Sequence, residues 1–206
     1  MRVIAGTFRS RLLEAPPGMS TRPTSDRLRE SLFNVLAPHI ADANFLDLYA
    51  GSGAVGIEAI SRGAQTVTFV EHGRDAARIL RGNLERLGIT DGFRIRAGSV
   101  KVFLTARSSN SGPEPQRYEV VFLDPPYDAD EEYTSTLGLL GGPAAVHLAP
   151  GAVVIAEHRR KQSLEDRYGS LKRTRLLQQG DAALSFYSFH GDVPPKEAGA
   201  LRPLEP

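Results

Sequence analysis

The 206-residue chain has no cysteine and no tryptophan, and only five histidines. Without cysteine there is no disulfide framework, no thiolate zinc site and no cysteine nucleophile. The histidines stand at 39, 72, 147, 158 and 190, and no two share the four-residue spacing that puts both rings on one helix face. A metal centre is therefore not expected. No apolar run is long enough for a membrane-spanning helix. Met1 to Gly6 holds no apolar stretch of signal-peptide length, so a cytoplasmic protein is expected. An excess of one charge is missing too: 25 Lys+Arg face 24 Asp+Glu, for a net +1. That balance argues against a strongly basic nucleic-acid binder. What remains, 41% hydrophobic and 24% charged, suits one globular domain with a small appendage.

The chain divides into three parts. Residues 1–40 are rich in arginine and punctuated by proline and glycine. Residues 41–190 alternate short apolar runs with helical stretches. Residues 191–206 hold four prolines and two glycines, and a loosely ordered tail is expected there. In the middle part, strands are expected over 44–49, 65–71, 93–97, 119–124 and 151–157. Helices are expected over 54–62, 74–87, 99–106 and 128–140, with a loop over 107–115. Such alternation builds βαβ units on a parallel sheet. A closing pair, 171–177 and 183–189, is joined by a turn too short for a crossover and must be antiparallel.

Two motifs carry chemistry. The first, Asp47-Leu48-Tyr49-Ala50-Gly51-Ser52-Gly53-Ala54-Val55-Gly56, is a strand, a glycine turn and a helix start. Glycine permits a sharp turn and close approach of a ligand, and the helix start offers free N–H groups. The glycines match G-x-G-x-x-G, but Asp47 would repel a pyrophosphate and attract an ammonium group. Glu71, ending the second strand, can accept two ribose hydroxyls. An amino-acid end and a nucleoside end describe S-adenosylmethionine better than NAD. Glycines that merely make a tight turn are the bland alternative.

The second motif is Asp124-Pro125-Pro126-Tyr127, reached directly from the apolar strand Val120 to Leu123. Paired prolines remove two N–H donors and stiffen the chain. A carboxylate, a free carbonyl and an aromatic ring are presented together. Asp124 and the Pro125 carbonyl can hold the two hydrogens of an exocyclic amine, and Tyr127 can stack on its base. A Pro-Pro turn that only ends a strand is the competing reading, weakened because both motifs fall at one sheet edge.

Together with Glu71, these motifs resemble the class I S-adenosylmethionine-dependent amino-methyltransferases. The segments Arg2-Val3-Ile4-Ala5-Gly6 and Arg22-Pro23-Thr24-Ser25-Asp26-Arg27-Leu28-Arg29-Glu30-Ser31-Leu32-Phe33-Asn34 narrow the likeness. They resemble the bacterial 16S ribosomal RNA guanine-N2 methyltransferases named for guanine 966, over roughly residues 1–190. The resemblance implies a Rossmann-like fold: a mostly parallel seven-stranded sheet with an antiparallel last strand, plus a small N-terminal β-hairpin extension. It implies cofactor contacts at Asp47, Tyr49, Ala50, Gly51, Ser52, Gly53, Glu71, Gly98 and Ser99. The acidic or amide residue common after the third strand is replaced here by Ala97-Gly98-Ser99. Catalysis falls to Asp124, Pro125, Pro126 and Tyr127.

The implied substrate is 16S ribosomal RNA in the small ribosomal subunit or an assembly intermediate, met by a monomer away from any membrane. Residues 1–40 (a hairpin plus a helix) would bind RNA, 41–190 would form the methyltransferase domain, and 191–206 a flexible tail. Residues 1–29 carry six arginines against two acids, so the net charge hides an asymmetry. Arginine pairs with phosphate and stacks on bases. Arg2, Arg9, Arg11, Arg22, Arg29, Arg159, Arg160 and Lys161 are the RNA-facing candidates, although Arg22 and Arg29 could instead brace the active site. His158 reads as a surface loop histidine. A DNA adenine-N6 methyltransferase, an NAD-dependent oxidoreductase and a non-catalytic RNA-binding module stay open as alternatives.

Overall fold

Apolar, β-branched runs become the strands of a single sheet, and amphipathic stretches become the helices that cover it. In the computed structural model, residues 1–15, 23–106, 116–126 and 130–190 are described. The strands are β1 (Asn44–Leu48), β2 (Thr66–Glu71), β3 (Phe93–Ala97), β4 (Tyr118–Leu123), β5 (Leu148–Arg159), β6 (Arg167–Tyr168), β7 (Leu171–Gln179) and β8 (Ala182–Phe189). The helices are α1 (Pro23–Ile40), α2 (Ala54–Ser61), α3 (Arg74–Leu87), α4 (Val100–Thr105) and α5 (Asp130–Leu140). The sheet order is β3-β2-β1-β4-β5-β8-β7-β6. Strands β1 to β5 run parallel, whereas β8 is antiparallel to both β5 and β7. The expected seven strands with an antiparallel last one are all present. An eighth, the two-residue β6, extends the edge by pairing with β7.

Side chains alternate between the two faces of the sheet. Phe45, Phe122 and Ile155 share one core with Leu28, Leu32 and Phe33 of α1, Ile57 of α2 and Leu80 of α3. Leu46, Leu48, Val121, Leu123, Val154 and Ala156 share the other with Leu104 of α4 and Tyr133 and Leu137 of α5. Helix α1 thus contributes five buried side chains (Leu28, Leu32, Phe33, Leu36 and Ile40) to the core it shares with the sheet. Residues 191–206 lie outside the described residues.

The first thirteen residues fold back on themselves. Val3 N donates to Arg11 O (3.0 Å), Ser10 N to Val3 O (2.9 Å) and Leu13 N to Met1 O (3.0 Å), with an antiparallel bridge between Arg2 and Leu12. The hairpin is a pair of short arms rather than two full strands. It docks on α2: Thr7 N donates to Ser61 O (2.8 Å), and Phe8 N to Ser61 Oγ (2.9 Å). Gly6 makes this approach possible. Its φ is +80°, and a Cβ there would fall 1.8 Å from Ser61 O. Gly6→Ala is expected to speed amide exchange at Thr7 and Phe8 by about tenfold or more, since left-handed backbone alone costs a Cβ residue about 1–2 kcal/mol. Hydrogen exchange followed by mass spectrometry reads this directly, and unchanged protection would refute it.

His158 is not a surface loop residue. It sits within β5, 2% exposed, with Nε2 against Ser185 Oγ (2.9 Å) and its ring edge-on to Tyr133. Strand alternation places it beneath α5 with Ala156, and burial lowers its pKa. The neighbouring Arg159, Arg160 and Lys161 are exposed.

Candidate active site

The chain leaves β1 through a turn that needs three left-handed residues: Tyr49 (φ +63°), Gly51 (+56°) and Gly53 (+80°). Two are glycines, which adopt this region freely; Tyr49 does so at a cost. The Tyr49 hydroxyl is fixed on α5, donating to Glu132 Oε2 and sharing a hydrogen bond with Thr136 Oγ1, both at 2.8 Å. The two glycines differ in what surrounds them. A Cβ on Gly53 would lie 2.2 Å from Leu80 Cδ1, so packing requires that glycine. A Cβ on Gly51 would meet nothing closer than Tyr49 O at 4.0 Å, so the turn is open on that side.

Two carboxylates hold this turn in place. Asp47 is buried, and its Oδ2 accepts from Gly56 N (2.9 Å) in the first turn of α2. Burial pushes its pKa up to about 8 against the Gly56 hydrogen bond, and the charges of Asp124 and Glu71 add to the rise. Glu71 accepts from Gly51 N (2.7 Å) through Oε2 and from Gly73 N (2.6 Å) through Oε1. A carboxylate has about four lone-pair sites, so Glu71 retains acceptor capacity toward a ligand. Gly98 N donates to Glu71 O (3.0 Å), and Ser99 Oγ caps α4 by accepting from Val102 N (3.3 Å). Asp47, Glu71 and Gly98 thus surround the turn at neighbouring strand ends, with Ala50 N bonded to Val70 O (3.0 Å) and Ser52 buried behind it.

Strand β4 lies beside β1 with Leu123 opposite Leu48, which brings Asp124 level with Tyr49 at the mouth of the turn. Burial pushes the Asp124 carboxyl up to about 7. Pro125 is buried and Pro126 exposed. Tyr127 and Arg22 lie outside the described residues.

The RNA-facing candidates separate into two kinds. Arg2, Arg9, Arg11, Arg159, Arg160 and Lys161 are exposed. Arg29 is 6% exposed and engaged internally: its Nη2 donates to Arg2 O (2.5 Å) and Asp26 Oδ1 (3.0 Å), and its Nε lies 3.9 Å from Glu58 Oε2. Its position is that of a brace.

Three functional candidates escape the sequence reading. Glu58 of α2 accepts from Ile4 N (2.7 Å), Ala5 N (3.0 Å) and Arg62 Nε (2.7 Å), binding the N-terminal arm to the helix that follows the glycine turn. Asn83 of α3 is fully buried and joins Glu14 to the turn: it donates to Glu14 O and Ser52 O, both at 3.0 Å, and accepts from Glu14 N (2.8 Å). Glu157, near the end of β5, is the third. None stands in a recognisable motif, and all three act through residues distant in sequence or on a neighbouring strand. No cluster of three or more potential metal ligands exists among the described residues, nor any helix long and apolar enough to cross a membrane.

The open side of Gly51, flanked by Asp47 and Glu71, fits a cofactor with an ammonium at one end and a ribose at the other. The comparisons with known proteins agree with that chemistry. The model of the family described as "Conserved hypothetical protein 95" matches residues 1–188. A Bacillus subtilis protein named "Putative rRNA methyltransferase YlbH" is 34% identical over 192 residues, 93% of this chain and all of that protein. Ribosomal RNA small subunit methyltransferase D of Escherichia coli is 41% identical over 127 residues, a match spanning 62% of this chain and 60% of its own length. A solved structure titled "Putative methyltransferase yhhF from Escherichia coli" superimposes with a TM-score of 0.75 at 33% identity, covering 92% of this chain and 97% of that one.

Proposed function

The chain belongs to the family described as "Conserved hypothetical protein 95", and from that premise we propose that it methylates the exocyclic N2 amine of a guanine in small-subunit (16S) ribosomal RNA, at position 966, using S-adenosylmethionine. The observation that carries this reading is the juxtaposition of Asp124-Pro125-Pro126 with the Tyr49–Gly53 turn on adjacent parallel strands. The named relatives, an rRNA methyltransferase and a small-subunit rRNA methyltransferase, support it.

S-adenosylmethionine, when bound, supplies an electrophilic methyl group on a sulfonium. Asp47, Glu71 and the open side of Gly51 hold it. Asp124 and the Pro125 carbonyl accept the two hydrogens of the guanine amine and turn its lone pair toward the methyl group. These acceptors also stabilise the positive charge that develops on nitrogen, and Tyr127 stacks on the base. Exposed Arg2, Arg9 and Arg11 on the arm, with Arg159 at the end of β5 and Arg160 and Lys161 just beyond it, take RNA phosphates. Mass-spectrometric mapping of 16S ribosomal RNA from cells with and without this protein tests the reading. Loss of one N2-methylguanine is expected, and loss of an N6-methyladenine instead would overturn it.

The pH dependence has a definite sign. Asp124 offers the amine a charged acceptor only when ionised, and Asp47 attracts an ammonium only when ionised. Their free-protein pKa values lie at about 7 and about 8, so kcat/KM for S-adenosylmethionine should climb from about pH 6 and level off only above about pH 9. The acid limb of kcat should fall at lower pH, because a bound cation stabilises both carboxylates. A kcat/KM that is flat from about pH 6 to 9 would contradict the assignment.

A further inference from the structure

Three carboxylates stand side by side on the sheet face that α1 and α2 cover. Phe45, Phe122 and Ile155 pack into the core beneath these helices. Strand alternation then puts Asp47, Asp124 and Glu157, each two residues further along, on that same face. The β4–β5 register pairs Leu123 with Ala156, so the next step along both strands sets Asp124 beside Glu157. In a parallel pair such neighbours project the same way. The Glu157 backbone is fixed from the other face, where Tyr133 Oη donates to Glu157 O (2.9 Å).

We propose that Glu157 is a positioning residue for the methyl-transfer site: set beside Asp124, it holds the single proton that the pair retains and leaves Asp124 as the charged acceptor of the amine hydrogen. The inference rests on the amino-methyltransferase reading above, but its physical basis is separate. Two half-buried carboxylates set side by side at the ends of adjacent strands cannot both carry full charge without an electrostatic cost, so they share a proton. Burial and the charge of Asp124 both drive the Glu157 carboxyl well above the ordinary carboxylate range. The Arg29 guanidinium of α1 opposes that rise without reversing it. The remaining charged groups on this face are committed elsewhere. Asp26 is bonded to Arg29, Glu58 to the arm and Arg62, Asp47 to Gly56, and Glu71 to Gly51 and Gly73. His158 occupies the opposite face, against Ser185. On this arrangement Glu157 acts through Asp124.

Carboxyl 13C NMR on the full chain tests the pair without cofactor or substrate. With Glu and Asp labelled at the side-chain carboxyl, the Glu157 signal is identified by its disappearance in Glu157→Gln. It should stay at the protonated position through neutral pH, and its midpoint should fall by about one unit or more in Asp124→Asn. A midpoint in the ordinary carboxylate range, or one unmoved by Asp124→Asn, would overturn the proposal. Kinetics supply the second reading. Glu157→Gln keeps a neutral group of the same shape and should retain about tenfold more of kcat than Glu157→Ala, with similar KM values. Equal losses would overturn the positioning role. If the wild-type protein transferred no methyl group to small-subunit RNA, the reading above would fail, while the NMR titration would still decide the pair.

Discussion

Asp124→Ala is expected to lower kcat for methyl transfer by about 10²–10³-fold while S-adenosylmethionine affinity stays within about threefold. The asymmetry follows from where Asp124 sits. It is level with Tyr49, at the mouth of the turn, whereas the Gly56 bond that orders the cofactor side is made by Asp47. Removing the Asp124 carboxylate takes away an acceptor that matters most as charge develops on nitrogen, so kcat suffers and ground-state binding does not. Asp124→Asn keeps one acceptor oxygen without charge and should fall between the two. Single-turnover rates with 16S RNA or small subunits, alongside calorimetric cofactor affinities, separate the terms. If Asp124→Ala matched the wild-type rate, the proposed mechanism would be wrong.

Glu58→Ala should be the most damaging substitution for stability among residues outside the apolar core, at about 3–5 kcal/mol. The Glu58 side chain is 1% exposed and receives two backbone N–H groups of the arm and the Arg62 guanidinium, with Arg29 Nε 3.9 Å away. Truncation would strand the Ile4 and Ala5 amides and take one of the carboxylates away from the buried Arg29. In a chain of this size the loss corresponds to a Tm lower by about 10 °C. Glu58→Gln, with one acceptor oxygen and no charge, should recover part of it. Thermal unfolding followed by circular dichroism decides the matter; an unchanged Tm would show that the arm does not depend on this carboxylate.

The parts legible in the sequence are those whose physics is local. Val120 to Leu123 had to be a buried strand because it is an unbroken apolar run, and Arg74–Leu87 matches its 3.6-residue spacing of apolar side chains. The glycines at 51 and 53 announced the turn because few other residues take positive φ there. Other features depend on contacts that no window contains. Strand β6 is two residues long, too short for any alternation to register. Strand β5 begins at Leu148, three residues before the expected start at Gly151, and passes through Pro150, which reads as a strand breaker; the β4–β5 register shifts there, between Tyr118 and Val120. Glu58 looks like an ordinary helical acid until Ile4, 54 residues earlier, comes to meet it. His158 reads as a surface residue because Arg159, Arg160 and Lys161 lend it that context, whereas strand period turns it inward.

The two ends of the sheet have a consequence for how the molecule meets others of its kind. An open sheet exposes a row of unpaired N–H and C=O groups at each edge, a template on which a second chain can continue the ladder. Here one edge is β3, whose Arg94 and Arg96 are both exposed, and the other is β6, which ends after two residues. Positive charge blunts the first edge; at the second, β6 covers only Leu171 and Lys172 of β7, and exposed Arg175 lies on the β7 stretch left open beyond it. Edge-to-edge growth into fibrils or strand-swapped pairs is disfavoured at both.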